Sequence, residues 1–537
     1  MKSVMKHQFS QVPKVTIPRS TFRRTFGHKT TFDSGWLVPV YCDEALPGDT
    51  FNLRMTAFAR LATPLHPFMD NLRMDSFFFA VPIRLLWDNW EKFNGAQDNP
   101  GDSTDFLVPQ ITSPAGGYDP NHATAANARA AQLADYMGIP TLVGNLSHSA
   151  LWHRAYNLIY NEWFRDQNMI NSVTVPTGDG PDTYTDFQLR RRTKRHDYFT
   201  SCLPWPQKGP AVELPLGTTA PITGIGIPTD QSAALRTETF VQPDGSDFAT
   251  KNTWRSTVNA IDVLAQSAAV ASSTNTPQIF ADLSSATAAT INQLRQAWQI
   301  QRLYERDARG GTRYTEVILS HFGVSSPDMR LQRPEYLGGG STPISISPIA
   351  QTSETTVASP QANLAAIGTA VIDNHGFTKS FTEHCVLIGL VNVRADLTYQ
   401  QGLDRMFSRR TRWDFYWPAL AHIGEQAVLN KEIFAQGNAT DDLVFGYQER
   451  FAEYRYKASM ISGKFRSNDP QSLDPWHLSQ EFAALPLLNE SFIEENPPVD
   501  RVIAVTSEPQ FIFDSHFDYR CARPMPVYSV PGLVDHF

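Results

Sequence analysis

The amino-acid sequence predicts a mainly β fold, of the jelly-roll class or a related sandwich, with long helical and loop insertions between strands. Strand patterns occupy residues 31–82 and resume from residue 364 to the C-terminus, while helical patterns and loops rich in proline and glycine lie between them. Strands from both ends of a chain can pair in one sheet system, and a jelly roll folds eight strands into two facing sheets with excursions between them. Other β-sandwich folds show the same periodicity, so the pattern alone leaves this choice open.

Three strands are predicted near the N-terminus, because apolar residues there alternate with polar ones between turn sequences. They cover residues 30–42, 50–62 and 72–82. The third contains three consecutive phenylalanines, Phe77, Phe78 and Phe79. Neighbouring side chains on a strand point to opposite faces, so Phe78 faces one way and the other two face the opposite way. This strand therefore needs cover on both faces, and parity alone does not say which face lies between the sheets.

Helices are predicted where apolar residues recur at three- and four-residue intervals. These segments are 83–93, 123–137, 149–167, 286–306 and 312–322. The clearest pattern belongs to 149–167, in which Trp152, Tyr156, Ile159 and Trp163 share one face. Residues 337–360 carry a single charge and many glycines, prolines and serines, and this composition predicts an irregular loop.

The C-terminal part of the chain returns to strand patterns. Residues 384–399 form a nearly continuous apolar run, which is typical of a strand covered on both faces. Residues 500–507 and 508–526 are predicted as the strands that close the chain. Between the two β regions, residues 211–285 are rich in Thr, Ser and Ala, sparse in charge and without a sustained period.

Composition and charge limit the classes to which this protein can belong. Hydrophobic residues make up 41% of the chain and charged residues 19%, below the roughly 25% typical of soluble domains. We therefore expect much of the surface to be hidden against other copies of the chain. The net charge of −8 argues against a protein coated all over by nucleic acid, and no apolar run is long enough to predict a membrane span.

Cysteine usage and the N-terminus bear on the compartment. The four cysteines, Cys42, Cys202, Cys385 and Cys521, are widely separated and form no CxxC pair. This spacing predicts buried thiols in a reducing compartment. The N-terminal sequence has no apolar core of a signal peptide. Both features predict a protein made and used in cytoplasm, or one that leaves the cell by a route other than secretion.

A basic arm is predicted at residues 1–30, which contain no Asp or Glu. Its candidate DNA-contact residues are Lys6, Lys14, Arg19, Arg23, Arg24 and Lys29, with Phe22 and Phe26 between them as candidates for stacking or latching. Cations neutralise phosphates, and aromatic faces stack on unpaired bases of any sequence. Such an arm can equally latch onto a neighbouring subunit with its phenylalanines in apolar grooves, and both roles stay open.

A second basic cluster supplies further candidate DNA contacts. Five cations lie within six residues: Arg190, Arg191, Arg192, Lys194 and Arg195. They repel one another unless phosphates or carboxylates compensate them. Ion pairing across a subunit interface is slightly favoured over phosphate contact, because the segment LPWPQKGP follows at once and is typical of rigid packed structure.

Motifs of catalysis and cofactor binding are absent from the sequence. It contains no GxxxxGK[ST], HExxH or GxSxG motif, and its GIG at 224–226 lacks the third glycine of a dinucleotide loop. His148 and His153 are five residues apart on a predicted helix, a spacing that separates their side chains and predicts structural histidines. The carboxylate pairs Asp441–Asp442 and Glu494–Glu495 are predicted to lie in solvated loops. The sequence thus predicts no catalytic residue, cofactor or metal ligand.

Five long blocks of the sequence are unusual in composition and order. They are DFQLRRRTKRHDYFTSCLPWPQKG (186–209), ERDARGGTRYTEVILSHFGVSSPDMRLQRPEYLGG (305–339), VNVRADLTYQQGLDRMFSRRTRWDFYWPALAHIGEQAVLNKEIF (391–434), VFGYQERFAEYRYK (444–457) and RPMPVYSVPGLVDHF (523–537). These blocks resemble the major capsid protein of gokushoviruses, the small icosahedral single-stranded DNA phages of the microvirus family. The resemblance runs from about residue 10 to the C-terminus and weakens only through about 211–285.

The resemblance implies an eight-stranded antiparallel jelly roll of the viral capsid type and a non-enzymatic role. Residues 31–537 would form this single domain, and the arm at 1–30 would lie inside the shell. Sixty copies would build a T=1 icosahedral shell around a circular single-stranded DNA genome. The segment 211–285 is the natural candidate for a surface spike at the threefold axis that takes part in host attachment.

The resemblance also implies partners and a location. The partners are further copies of the chain, the single-stranded DNA genome, other structural, scaffolding or pilot proteins of the phage, and a host receptor that the sequence does not identify. The location is the virion, after assembly in the bacterial host cytoplasm. Aromatic blocks at 413–420 and 474–478 are candidate anchors at subunit contacts, and a core role for each is at least as compatible with the sequence.

Two other classes of protein are compatible with a β sandwich. A polysaccharide hydrolase would need paired carboxylates in a cleft, and it would ordinarily be secreted or small in assembly. A receptor-binding trimer would give a mass near that of three chains. The hydrolase is the main alternative to the capsid protein.

Overall fold

A computed structural model describes residues 18–119, 128–212, 222–223, 255–257, 260–262, 280–281, 291–325, 332–353, 355–356, 361 and 363–528. The chain divides into two compact units. The first combines Met1–Pro206 with Asp307–Phe537, and the second is Gln207–Arg306. The first unit contains all the long strands.

Strands in the described residues are numbered in chain order. They are β1 Ser20–Arg23, β2 Phe26–Phe32, β3 Val38–Ala45, β4 Thr50–Leu61, β5 Leu72–Pro82, β6 Gln110–Thr112, β7 Ser147–Ser149, β8 Ile222–Thr223, β9 Arg255–Thr257, β10 Ala260–Asp262, β11 Phe280–Ala281, β12 Glu335–Ala350, β13 Leu364–Ser380, β14 Cys385–Ala395, β15 Thr398–Tyr399, β16 Glu425–Leu429, β17 Val444–Glu449, β18 Ser459–Met460 and β19 Phe511–Arg523. In the second unit, β8 pairs with β11 and β9 with β10, both antiparallel.

The α-helices of the described residues are numbered in the same way. They are α1 Trp90–Phe93, α2 Ala128–Tyr136, α3 Leu151–Ile159, α4 Ile291–Arg309, α5 Tyr314–Phe322, α6 Asn430–Ile433 and α7 Glu490–Ile493. A π-helical turn, Tyr160–Phe164, continues α3.

The long strands form two antiparallel sheets in the order of a jelly roll. In sheet I, β1 and β2 both lie beside β19, which is followed by β4 and β13. In sheet II the order is β12, β5, β14 and β3. Successive long strands mostly alternate between the sheets, and β12 connects them because Glu335–Ile344 pairs with β5 while Ser345–Ala350 pairs with β13. The predicted jelly roll with insertions is confirmed.

The space between the sheets is filled by one continuous hydrophobic core. On β4 the side chains alternate strictly, with Phe51, Leu53 and Met55 buried and Arg54 exposed between them. β19 alternates in the same way from Phe511 to Cys521. Both strands therefore have one face in the core and the other face on the surface of this unit.

The three phenylalanines of β5 separate as parity requires. Phe78 enters the core between the sheets, where its ring lies 6.2 Å from that of Tyr41 and 5.7 Å from that of Phe377. Phe77 and Phe79 face the other way, and the ring of Phe164 packs edge-on against both. The strand is covered on both faces, by the core and by a helical layer.

This helical layer comes from the long insertion between β5 and β12. Its helix α3 packs on the outer face of sheet II, where Ala155 and Ile159 are fully buried together with Val386 and Ile388 of β14. The Tyr156 hydroxyl donates to the Leu37 carbonyl oxygen at 2.9 Å and so ties the helix to the segment before β3. The prediction that residues 384–399 contain a strand covered on both faces is confirmed, with β14 occupying 385–395.

The predicted loop at 337–360 is wrong over its first half, because Glu335–Ala350 is strand β12. Glycines in this strand admit the neighbouring strands at close range. A Cβ atom at Gly340 would lie 2.4 Å from His375 Nε2, so a larger residue would displace that ring. Glycine and proline commonly signal a turn, whereas here glycine marks a close approach within a sheet.

The predicted strand at 500–507 is also wrong. Val499–Arg501 forms a 3₁₀ turn, and only Ile503 makes an isolated bridge, to Pro64. Val499, Val502 and Ile503 are buried in the core between the sheets. Their spacing of three and four residues is that of one helical face, which outweighs the alternation seen over so short a segment.

Candidate assembly and nucleic-acid surfaces

The described half of the predicted arm is part of sheet I. Its strands β1 and β2 pair with β19, and the Arg24 amide joins them by donating to the Tyr519 carbonyl oxygen at 2.8 Å. The sheet therefore begins at Ser20, inside the range predicted as an arm. Lys6 and Lys14 lie outside the described residues.

The four arm cations of the described residues all contact their own subunit. Arg19 donates to the Gly48 carbonyl oxygen at 2.6 Å, and Arg24 forms two hydrogen bonds to Asp43, of 2.7 and 3.2 Å. The remaining two are on the surface in looser pairs. Arg23 lies 3.4 Å from Asp518, and Lys29 lies 3.1 Å from Asp514 with both side chains more than half exposed.

The two arm phenylalanines also pack on their own sheet. The ring of Phe26 stacks on that of Phe517, with centroids 4.7 Å apart and planes inclined by 14°. Phe22 is half-buried against the core between the sheets. These contacts occupy one face of the Phe26 ring within the subunit and leave the ring 38% exposed.

In the second basic cluster, Arg191 and Arg192 are held within the subunit. The Arg191 guanidinium lies 4.2 Å from the centre of the Trp36 ring and donates to the Glu495 carbonyl oxygen at 2.9 Å. Arg192 donates to Asp75 Oδ2 at 2.6 Å, and Arg394 donates to the same oxygen at 2.8 Å. The compensation predicted for this cluster exists, and for these two arginines it comes from the same chain.

Lys194 is the most buried cation of the cluster. Its ammonium group donates to the Phe492 carbonyl oxygen and to Gln480 Oε1, the latter at 3.3 Å. Burial lowers the pKa of Lys194 to about 8, although Glu495 and Asp197 act in the opposite direction. Burial likewise raises the pKa of Glu495 to about 7. This geometry leaves Lys194 no room to contact a phosphate.

The cluster has two further members, which differ in exposure. The Arg190 side chain is partly buried, and its backbone amide donates to the Tyr156 hydroxyl at 3.0 Å. Arg195 is exposed and forms no ion pair with any described residue. Of the five cations, Arg195 therefore has the most exposed side chain and is available to an external anion.

The structure shows where the carboxylate pairs and histidines considered in the sequence analysis lie. Asp442 is exposed and pairs with Lys431, whereas Glu495 is buried, which contradicts the solvated loop predicted for it. The rings of His148 and His153 lie only 5.1 Å apart, because His148 is on β7 rather than on the helix. Burial lowers the pKa of His153 to about 3 and keeps the ring neutral. Among the described residues, no group of His, Cys, Asp and Glu is arranged to hold a metal ion.

Five aromatic side chains between β15 and β16 are exposed, and we call them the aromatic belt. They are Phe407, Trp413, Phe415, Tyr416 and Trp417, which are 68%, 57%, 50%, 50% and 40% exposed. Arginines lie over its rings, with the Arg412 guanidinium 4.5 Å from the centre of Trp417. The sequence pointed to block 413–420 but left its role between core and anchor open, and the exposure excludes the core. Phe407 was missed because a single phenylalanine between charged residues carries no periodic signal.

No helix of the described residues is long and apolar enough to cross a membrane.

Comparison with known proteins covers nearly the whole chain. Residues 10–533 match the model of the family described as "Capsid protein (F protein)". The chain is 52% identical to the capsid protein VP1 of Bdellovibrio phage phiMH2K, over 99% of this chain and 98% of that protein. It is 44% identical to capsid protein VP1 of Chlamydia phage 1, over 99% and 98% of the two chains, and 39% identical to that of Spiroplasma virus 4, over 98% and 97%.

These relatives are gokushovirus capsid proteins, which confirms the resemblance. They are structural proteins, so the chain is a virion component and not an enzyme, and the polysaccharide-hydrolase alternative has no support among them. The jelly roll, the exposed aromatic belt and matches over almost the entire length agree: the chain belongs to the F-type phage capsid protein family, among its gokushovirus members.

Proposed function

We propose that sixty copies of the chain assemble into a T=1 icosahedral shell that encloses a circular single-stranded DNA genome. Assembly takes place in the bacterial host cytoplasm, with other structural, scaffolding or pilot proteins of the phage as further partners. The protein functions by assembling through its subunit contacts. Each copy makes heterologous contacts around fivefold and threefold axes and an isologous contact across twofold axes.

The observation that carries the proposal is the aromatic belt. Monomeric proteins rarely expose contiguous apolar patches, whereas aromatic residues and arginine are enriched where subunits meet. Phe407 and Trp413 are both more than half exposed in the single subunit. Burying such rings against a neighbouring copy would supply anchors for a permanent interface and would account for the low fraction of charged residues.

Particle mass tests the shell directly. Sixty copies of a 60.1 kDa chain give about 3.6 MDa of protein, which light scattering separates from a monomer or a trimer. We expect Phe407→Ser with Trp413→Ser to leave soluble subunits that no longer form particles. Leu107→Ser is the matched control, because Leu107 is 82% exposed but lies outside the belt. A stable monomer of the unsubstituted chain, with no particle in electron micrographs, would overturn the proposal.

The basic N-terminal segment is proposed to lie inside the shell and to contact genome phosphates. Residues 1–17 contain Lys2, Lys6 and Lys14 and no acidic residue, and Arg19 follows. Because β1 begins at Ser20, the informative deletion removes residues 2–17 and leaves the sheet intact. We expect such shells to assemble but to lose DNA at lower salt than unmodified shells. DNA retention equal to that of unmodified shells through a salt series would contradict this role.

The segment 211–285 is proposed as a surface spike at the threefold axis that takes part in attachment to a host receptor. In support, it falls within the separate unit Gln207–Arg306, and its composition is typical of a divergent surface insertion. Replacing it by a short Gly-Ser linker should leave assembled particles that adsorb poorly to host cells. Normal adsorption of such particles would refute the attachment role.

A further inference from the structure

The outer faces of the two sheets differ in how far other parts of the chain cover them. On sheet II, the insertion after β5 covers most of the outward side chains of β5 and β14. On sheet I, the outward side chains of β4 and β19 are exposed, and the described residues provide no layer over them. The exposed face includes large apolar side chains: Phe58 of β4, Val371 of β13 and Ile512 of β19 are 48%, 63% and 61% exposed.

Charge on this outer face of sheet I is mainly positive. It carries five cations against the three carboxylates Asp373, Asp514 and Asp518, and the cations are Arg23, Lys29, Arg54, Arg60 and Arg520. Two cations have partners, since Arg23 lies near Asp518 and Lys29 near Asp514. Arg54, Arg60 and Arg520 are exposed and form no ion pair within the described residues. The face is thus positive in a chain whose net charge is −8.

The register places some of these arginines against one another. Arg23 on β1 is the direct cross-strand partner of Arg520 on β19. Arg520 is paired with Asn52, so Arg54 two residues further along β4 is its diagonal neighbour, while the direct partner of Arg54 on β19 is Asp518. Like charges directly opposite each other across a sheet destabilise it, and an anion bound between them removes that cost. Asp518 alone cannot neutralise three guanidinium groups.

Phe58 lies at the centre of the same face. Its cross-strand partners are Asp514 on one side and Val371 on the other, and Lys29 is paired with Asp514 beyond. Its ring therefore lies between charged and apolar neighbours on an exposed sheet face. Aromatic side chains on such platforms stack with unpaired bases, while the cations around them track the backbone.

We infer that the outer face of sheet I binds single-stranded DNA, with Arg54, Arg60 and Arg520 on phosphates and Phe58 stacked on a base. The inference rests on the proposed shell and identifies its inner wall. Arg54 and Arg60 are six residues apart on β4, about 20 Å at the strand rise of ~3.4 Å per residue, which is long enough for several nucleotides. Continuity with the N-terminal segment favours DNA over a second copy, because those acid-free residues lead directly into β1 at the edge of this face.

The test uses the unassembled full-length chain and a fluorescent oligonucleotide of thirty mixed-sequence nucleotides, titrated between 0.05 and 0.3 M NaCl. Each phosphate contact contributes about 0.7 to the slope of log K against log salt for a single strand, so Arg54→Gln, Arg60→Gln and Arg520→Gln together should reduce the slope by about 2. At 0.1 M salt this corresponds to roughly 100-fold weaker binding. Lys92→Gln, Arg410→Gln and Lys464→Gln together remove the same charge elsewhere and should leave the slope within experimental error.

Two single substitutions separate stacking from charge. Phe58→Ile keeps an apolar strand residue but removes the ring, so binding should weaken several-fold at an unchanged salt slope. Asp514→Asn frees Lys29 and removes a negative charge, so binding should strengthen and the slope should steepen. If Phe58→Ile changed nothing, the base-stacking part of the inference would be wrong.

Particle mass and electron micrographs of the same variants separate the two proposals. If unsubstituted protein forms DNA-filled shells but the triple variant keeps the original salt slope, the inference fails and the shell stands. If the triple variant binds the oligonucleotide normally yet cannot assemble, the face is a subunit contact and the inference is overturned. If unsubstituted protein forms no shell, the proposed function itself fails, whatever the oligonucleotide shows.

Discussion

Gly389 in β14 allows a test of how tightly the core between the sheets is packed. A Cβ atom at this position would lie 2.8 Å from Phe78 Cε1 and 2.9 Å from Tyr41 Cβ, both well inside van der Waals contact. The two neighbours are 1% and 3% exposed, so neither can move into solvent. We expect Gly389→Ala to destabilise the subunit by roughly 1–3 kcal/mol through overpacking.

A second substitution should relieve this strain. Phe78→Leu removes the ring atoms that the new methyl group would meet, and alone it should cost on the order of 1 kcal/mol because it leaves a cavity. In the double variant the methyl group fills part of that cavity. Residues in contact show coupling free energies of about 0.5–3 kcal/mol, so the double variant should be at least ~1 kcal/mol more stable than the sum of the single effects.

The assay is urea unfolding of unassembled full-length subunits, followed by tryptophan fluorescence and extrapolated linearly to water. Gly27→Ala in β2 is the matched control, because its nearest contact would be the Ser515 carbonyl oxygen at an ordinary 3.5 Å. That change should alter the free energy of unfolding by less than about 1 kcal/mol. Additive effects of Gly389→Ala and Phe78→Leu would show that the ring and the glycine do not limit each other, and would refute this account of the core.

Two further outcomes follow from buried charges. Asp75→Asn leaves Arg192 and Arg394 without their shared carboxylate, so it should cost roughly 3–5 kcal/mol in urea unfolding, whereas Lys29→Gln in an exposed pair should cost at most about 1 kcal/mol. An equal cost for the two changes would contradict the difference in burial. Burial raises the pKa of the Glu495 carboxyl to about 7, compared with about 4.5 in the unfolded chain. Between these two pH values the native state therefore holds a proton that the unfolded chain has released. This carboxyl consequently makes the free energy of unfolding fall as the pH rises from 4.5 to 7. Glu495→Gln should remove that contribution, and identical pH profiles of unfolding free energy for the two proteins between pH 5 and 7 would refute it.

Strand periodicity made much of the jelly roll predictable, because its long strands carry clear patterns. The segments 50–62 and 72–82 match β4 and β5 to within one residue, and 508–526 contains β19 with three extra residues at each end, since the buried side chains of these strands alternate or run continuously. The first predicted strand, 30–42, is wrong in its bounds, because the chain there forms the end of β2, a turn and the start of β3. Pairing with β19, which is almost five hundred residues away in sequence, decides where β2 begins, and no local pattern carries that information.

The candidate site was less predictable, because exposure depends on the partners that the fold brings together. The cluster at 190–195 was identified as basic, yet its availability to an anion differs from residue to residue. Asp75 on β5 accepts a hydrogen bond from Arg192, and the Phe492 carbonyl oxygen accepts one from Lys194. Both partners are far away in sequence. Conversely, Arg54 and Arg520 stand in ordinary alternating strands, and only the register of β4 on β19 brings them to one surface.

The burial patterns of the strands differ between sheet II, which is covered on its outer face, and sheet I, which is not covered by described residues. In β5 and β14 most side chains on both faces are buried, because the insertion after β5 lies on sheet II. In β4 alternation persists over twelve residues and in β19 over the eleven from Phe511 to Cys521, which is typical of a sheet whose outer face meets solvent or a polar partner. On the covered outer face of sheet II, Arg394 is neutralised by the buried carboxylate of Asp75, whereas Arg54, Arg60 and Arg520 on sheet I form no ion pair within the described residues. These unpaired cations and the exposed ring of Phe58 match a charged, flexible and hydrated polymer.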